Sequence, residues 1–243
     1  MLNKKMIGAA LGATALTASL VAATSTSAQA NPNWQMWNVT SGSALTAGTT
    51  VTGSGTLKFT TEINNNLTRI ECRATAGLFS QTLTAANVAD IAPGATRSIS
   101  VTPPARISSS SSGSTLGVCQ DVTSDVWGGG GAVPLDVTTQ NGAWTLNLTA
   151  PAAGTPGVVY SGSITGTLAL PANAIVFEDP SIGCKAQGPT GGATTSGTYN
   201  TGTNVLTASP QAFAATAISG CTIANTQLTS GTLSLSPHLS LKY

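Results

Sequence analysis

Apolar and polar residues alternate along most of this chain with a period of two. From Val51 to Ile63 the odd positions are Val51, Gly53, Gly55, Leu57, Phe59, Thr61 and Ile63, and the even positions are Thr52, Ser54, Thr56, Lys58, Thr60 and Glu62. Successive strand residues point to opposite faces, so this pattern predicts a strand with one buried and one wet face. From Val158 to Leu170 the bulk falls on even positions (Val158, Tyr160, Ile164, Leu168, Leu170). From Leu233 to Tyr243 it falls on odd ones, with Ser234, Ser236, His238, Ser240 and Lys242 between them.

A fourth stretch predicts a hairpin. Asn141-Gly142 suits a type I′ turn, which needs positive φ at both central positions. A two-residue loop there pairs Gln140 with Ala143, Thr139 with Trp144, Val137 with Leu146 and Leu135 with Leu148, which gathers the apolar residues of both arms on one face. Tyr199 to Leu206, with Asn200-Thr201-Gly202 inside it, reads as another hairpin. Pro103-Pro104, Ser108–Ser112 with Gly113, Gly128–Gly131 and Pro189–Gly192 read as turns and loops. One segment, about Thr84 to Ile91 before Pro93-Gly94, reads as a short helix. Many short strands separated by Gly, Pro and Asn predict an all-β fold, an antiparallel β-sandwich or barrel-like sandwich.

The N-terminus changes the picture of where this fold works. Lys4 and Lys5 precede an apolar run from Met6 to about Ala23, and Ala28-Gln29-Ala30 has the small-x-small form of a cleavage site. Residues 1–30 therefore read as a secretory signal peptide, and residues 31–243 as a single secreted domain. The alternative, an uncleaved anchor, fits the Thr and Ser within the run less well. In an exported chain four cysteines favour disulfides over metal or thiol chemistry. Cys72, Cys119, Cys184 and Cys221 allow three connectivities. The sequence-local one, Cys72–Cys119 with Cys184–Cys221, is the expected pairing, each bridge contributing roughly 3–4 kcal/mol by the chain-entropy model.

Composition excludes more than it assigns. Charged residues make up 7% of the chain and aromatic residues 5%, while Ser and Thr supply about a quarter. Nine basic residues are too few and too scattered for a nucleic-acid surface. Without Lys4 and Lys5, seven basic residues face eight acidic ones, so charge selects no partner. The low charge and high apolar content also argue against disorder.

Catalytic candidates are sparse. His238 is the only histidine, and alternation places it on the polar face of the last strand beside Ser236 and Ser240, as an exposed structural residue rather than a general base. There is no G-x-S-x-G elbow and no Walker A sequence. Asp121 and Asp125 follow Cys119, and Glu178 and Asp179 precede Cys184. Brought together, these four could bind calcium or serve as a glycosidase carboxylate pair, but as solvated loop carboxylates they need do neither. No cofactor and no specific metal are expected. Trp34 and Trp37 read either as a first strand packing its rings on the domain or as a protruding arm that binds a surface or adds a strand to a neighbour.

The cysteine layout and C-terminal half resemble a bacterial secreted family, the alkane oxidation activator proteins, which are also implicated in biofilm adhesion. The resembling pieces are Ile70-Glu71-Cys72 in a strand, Cys119 followed by Trp144-Thr145, the unit from Cys184 to Leu206, and Cys221-Thr222-Ile223 leading to Gly231-Thr232-Leu233-Ser234-Leu235-Ser236-Pro237. The interval from Cys119 to Trp144, with its four glycines, is longer here. The resemblance implies a surface role and carries over no catalytic residue. The leading expectation is a secreted, non-enzymatic protein of the cell surface or extracellular matrix. It would aid adhesion, biofilm formation or hydrocarbon contact, with surface or matrix components or hydrophobic surfaces as partners. An outer-membrane β-barrel and a secreted hydrolase using the loop carboxylates are the alternatives.

Overall fold

The computed structural model describes residues 33–109, 118–123 and 132–243. The expected signal peptide, Asp125, the Gly128–Gly131 run and most of the Ser108–Gly113 run lie outside them. In chain order the strands are β1 (Gln35–Asn38), β2 (Ser43–Ala44), β3 (Thr50–Ile63), β4 (Asn66–Thr82), β5 (Thr96–Val101), β6 (Arg106–Ser108), β7 (Val118–Asp121), β8 (Val133–Thr139) and β9 (Trp144–Thr149). They continue with β10 (Ser163–Leu170), β11 (Ile175–Asp179), β12 (Cys184–Gly188), β13 (Ala193–Asn200), β14 (Val205–Ala208), β15 (Gln211–Ala212), β16 (Thr216–Ser219), β17 (Ile223–Ser236) and β18 (Leu239–Lys242). A single turn of helix, α1 (Ala85–Val88), follows β4 and is held by a capping box between Thr84 and Asn87.

Fifteen strands form one antiparallel sheet in the order β16-β12-β11-β8-β7-β4-β3-β17-β14-β13-β10-β9-β5, with β15 beside β17 and β6 beside β8. Its spine is three long strands, β3, β4 and β17. Beyond β17 the sheet curls through β14, β13, β10, β9 and β5 until Ser80 of β4 bridges Thr102, just past β5, making a barrel-like lobe. Beyond β4 it continues through β7, β8, β11, β12 and β16 as a second curved wing. One contiguous core runs through both parts, from Trp144 and Leu146 in the lobe to Leu135 and Val137 in the wing.

Local chemistry explains how the spine serves two lobes. β3 and β4 are joined by a two-residue turn at Asn64-Asn65, with φ of 51° and 64°, so that Ile63 pairs with Asn66. This left-handed pair is the I′ geometry that matches strand twist. Further along, Gly53 opposes Phe79 while Gly55 opposes Ala74, so β4 carries extra residues in a bulge. A bulge bends its strand, which lets the first part of β4 pair with β7 and the last part turn toward β5. Gly55 is also where β17 comes close: a Cβ there would collide with the Thr232 carbonyl.

The alternation reads burial well and pairing less well. Leu135 and Val137 are buried, as are Trp144, Leu146 and Leu148, on one face of each arm as expected. The hairpin that would join them does not form. Asn141 and Gly142 do adopt positive φ (58° and 90°), but β8 pairs with β6, β7 and β11, whereas β9 pairs with β5 and β10. The turn is therefore a crossing point between wing and lobe, and the Asn141 amide ties it to the Ala172 carbonyl. The Tyr199–Leu206 hairpin does form, with Tyr199 opposite Leu206. The alternation from Leu233 to Tyr243 is one pattern over two strands: β17 stops at Ser236, and β18 leaves the main sheet to pair with β1, which also pairs with β2.

Both disulfides join the sequence-local partners. Cys72–Cys119 links directly opposed residues of β4 and β7, and Cys184–Cys221 ties β12 to the segment before β17. Two such bridges indicate an oxidising setting, extracellular or periplasmic. The high Ser and Thr content is used on the outer face of the lobe. Thr165, Thr198, Thr207, Thr232 and Thr56 lie opposite one another across five adjacent strands. The first four of them are exposed.

Candidate functional site: an apolar cavity shared by the two lobes

The inward faces of lobe and wing do not fill the space between them. A cavity of about 100 Å³ remains. The spine lines it with Leu57, Phe59, Ile70 and Leu78, the lobe with Trp144, Leu168, Leu170 and Leu206, and the wing with Ile107, Val137, Ile175 and Phe177. These residues come from β3, β4, β6, β8, β9, β10, β11 and β14, so only the assembled fold creates the site. Small residues keep it open. Gly166 on β10 packs so tightly that a Cβ would press on Leu206 at 2.7 Å, and Ala193, Gly197 and Ala208 complete the same wall.

On the wing side Phe213 and Thr226 line both the cavity and an outer depression. The strap from β14 to β17 crosses this side, pinned by Phe213 N–H to the Thr226 carbonyl (2.9 Å) and by Thr190 N–H to the Ala214 carbonyl (2.8 Å). Phe213 is half-buried, meets Phe59 edge-on with centroids 6.2 Å apart, and lines both the cavity and a shallow outer depression beside Asn225 and Gln227. Gly188 and Pro189 stand at the same side.

Thr61, Thr195, Ser196 and Thr226 are the polar residues of this lining. The Thr61 and Thr226 hydroxyls are 2.8 Å apart and bond to each other, and Thr61 also donates to the Ala224 carbonyl. They are satisfied. Trp144 is 1% exposed, and its Nε1–H has no acceptor among the described residues. A buried donor without a partner forfeits its hydration with nothing in return.

The residues singled out from sequence lie elsewhere. Trp34 is wholly buried; its Nε1–H donates to the Pro151 carbonyl at 2.9 Å and its ring contacts Tyr160 and Tyr243. That removes it as a surface contact and makes it a core residue, because β1 pairs along β18 instead of protruding. Trp37 is half-buried under the Lys242 ammonium, 4.2 Å from the ring. His238 is also half-buried rather than exposed, with Nε2 2.7 Å from the Thr201 carbonyl, and Ser240 is buried with its hydroxyl on the Tyr160 carbonyl. The break at Ser236 and the move to β1 displaced both from the solvent face.

The carboxylates are engaged locally. Asp121 accepts from the Thr123 backbone and hydroxyl, Asp179 does the same for Ser181, and Glu178 pairs with Lys185 at 3.4 Å. Among the described residues no three His, Cys, Asp or Glu side chains come together to hold a metal. On the outer face Glu71 accepts from Arg73 (2.6 Å) and pairs with Lys58 (3.2 Å), and the Arg73 hydrogen bond above all holds its carboxyl below the usual range. Burial pushes the Tyr199 phenol well above its ordinary value.

No family model, curated protein or solved structure matches this chain.

Proposed function

We propose that the protein is exported and acts as a non-enzymatic component of the cell surface or extracellular matrix that brings apolar material into contact with the cell. The observation that carries this reading is the cavity: a Ser/Thr-covered fold, stapled by two disulfides, curls around a shared apolar space. The resemblance to the alkane oxidation activator proteins points the same way, with hydrocarbon contact and adhesion as the expected roles. Its partners are then hydrophobic surfaces or molecules, together with surface and matrix components.

The two alternatives find less support. A lipid-facing barrel is apolar outside and polar within. Here the lobe has the inverse distribution, with Ile99, Leu146, Leu168 and Leu235 inside and threonines outside. A carboxylate hydrolase would use Asp121, Asp125, Glu178 and Asp179; of these, Asp121, Glu178 and Asp179 already serve turns and an ion pair, and Asp125 lies outside the described residues.

Fractionation of the producing cells tests the location: recovery from supernatant or loosely bound matrix is expected, and retention in membranes until detergent is added would overturn it. A deletion strain should lose both growth on a liquid hydrocarbon and biofilm mass; if both are unchanged, the role is wrong.

A further inference from the structure

We propose that the cavity is a binding site for one small, neutral, apolar molecule of about four non-hydrogen atoms, the class of propane and butane. This rests on the reading of apolar contact just given and sets the size of what is taken up.

Volume sets the limit. A dry apolar cavity of about 150 Å³ holds one benzene, about 25 Å³ for each ring carbon. At the same density the space of about 100 Å³ between lobe and wing holds about four carbons. Propane and butane fall within that limit, and a fatty chain or a benzene ring does not. The chemistry of the wall sets the polarity. Among the described residues no Lys, Arg, Asp, Glu or His lines the cavity, so an ionised group would enter without a counter-charge. Of the hydroxyls on the lining, Thr61 and Thr226 are taken up by each other at 2.8 Å. Val137, Leu168, Leu170, Ile175, Phe177 and Leu206 offer only carbon. Dispersion contacts favour a guest that touches such walls on all sides; a smaller molecule forfeits them and a larger one strains the wall. The entrance is at Phe213. This half-buried ring and Thr226 line both the cavity and the outer depression, so a turn of the ring about its side-chain bonds joins the two.

The test uses the full chain with Ile, Leu and Val methyl groups labelled for NMR, and n-butane, n-hexane and the propylammonium ion as probes. Propylammonium matches butane in size and adds a charge. n-Butane, supplied at rising gas pressure, should move the Val137, Leu168 and Leu206 methyl peaks saturably and leave those of the exposed Leu67 and Val118 in place. n-Hexane and propylammonium should each bind at least about tenfold more weakly, one through overpacking and the other through an unpaired charge. Ala208→Leu, which grows into the space, should abolish n-butane binding, and Leu170→Ala, which enlarges it, should admit n-hexane. Methyl peaks away from the cavity report whether these variants fold, and the comparison of probes on the parent chain stands without them. Phe213→Ala should raise the rate of n-butane exchange several-fold, and an unchanged rate would overturn the entrance. n-Hexane binding as tightly as n-butane would overturn the size limit, and propylammonium doing so would overturn the neutral occupant. Peaks that move for no probe would overturn the site itself, and the fractionation and growth tests would then judge the surface role separately.

Discussion

Replacing Trp34 with alanine is the sharpest test of how the N-terminal segment is used. The ring is wholly buried, its Nε1–H is bonded to Pro151, and it packs on Tyr160 and Tyr243 with centroids at 5.6 and 4.8 Å. Trp→Ala in a packed core costs about 3–5 kcal/mol, through lost burial and the cavity left behind. The two aromatic contacts and the orphaned Pro151 carbonyl place this site toward the upper end. Trp34→Phe keeps most of the ring contact and loses the hydrogen bond, so about 1–2 kcal/mol is expected. For a domain of this size each kcal/mol lowers Tm by about 2–4 °C. Trp34→Ala should therefore melt about 10–15 °C below the parent, and Trp34→Phe only a few degrees below. Urea unfolding followed by far-UV circular dichroism measures both, and an unchanged slope would show that the same surface is exposed. A loss under about 1 kcal/mol for Trp34→Ala would refute the packing argument and return Trp34 to a surface arm.

Further predictions concern the staples and the titrating groups. Replacing Cys184 and Cys221 together by alanine frees a 37-residue separation and should cost about 4 kcal/mol on the chain-entropy scale, measured by urea unfolding without reductant. The Tyr199 hydroxyl lies 2.7 Å from both the Leu239 carbonyl and Asn204 Oδ1, so Tyr199→Phe should cost about 1–2 kcal/mol in the same assay. Because its phenol pKa is raised on folding, the stability it contributes is full below the ordinary phenol pKa of about 10 and declines as pH rises above it. Spectrophotometric titration should find one tyrosine resisting ionisation until the chain unfolds. Glu71 is depressed, so its contribution is present above the ordinary glutamate pKa and is lost as pH falls through its lower folded value. Glu71→Gln should cost under about 1 kcal/mol at pH 7 and nothing once the carboxyl is protonated, as a stability-versus-pH series would show.

Period-two alternation made the all-β class and the inward faces legible, because each depends on neighbours a few residues apart, and of the helix expected over about Thr84 to Ile91 one turn forms, Ala85–Val88. Partner choice was not legible. Asn141-Gly142 has the better turn sequence, yet the tight hairpin of the spine is at Asn64-Asn65, where two long strands continue on either side of the turn. Around Asn141 the flanking strands are short, and each finds two or more partners in its own half of the sheet. The shift of β18 away from β17 is equally silent in a pattern that runs unbroken through Pro237. The cavity was the least legible feature. Its lining comes from both halves of the sheet, and Trp144 reads in sequence as one more inward-facing strand residue. Only the absence of an acceptor for its indole among the described residues sets it apart.

The pairing of β1 with β18 also sets how the molecule yields to tension. Gln35 lies opposite Lys242 and Asn38 opposite Leu239, so the chain enters and leaves at the same end of this ladder. Antiparallel hydrogen bonds run perpendicular to the strands. A pull applied at the two ends first loads the contacts just outside this ladder, Trp34 with Ile91 and Tyr243 with Gly157 and Val158, and then the rungs singly from Gln35–Lys242 onward. The shared spine is spared in that first event, and the stretches from Cys72 to Cys119 and from Cys184 to Cys221 are barred from extending by their crosslinks. Stretched between its two ends, the protein yields first where β1 meets β18, and its resistance there is set by Trp34, Met36, Leu239 and Leu241 leaving the common core, so the Trp34 substitutions that lower Tm should lower the unfolding force as well.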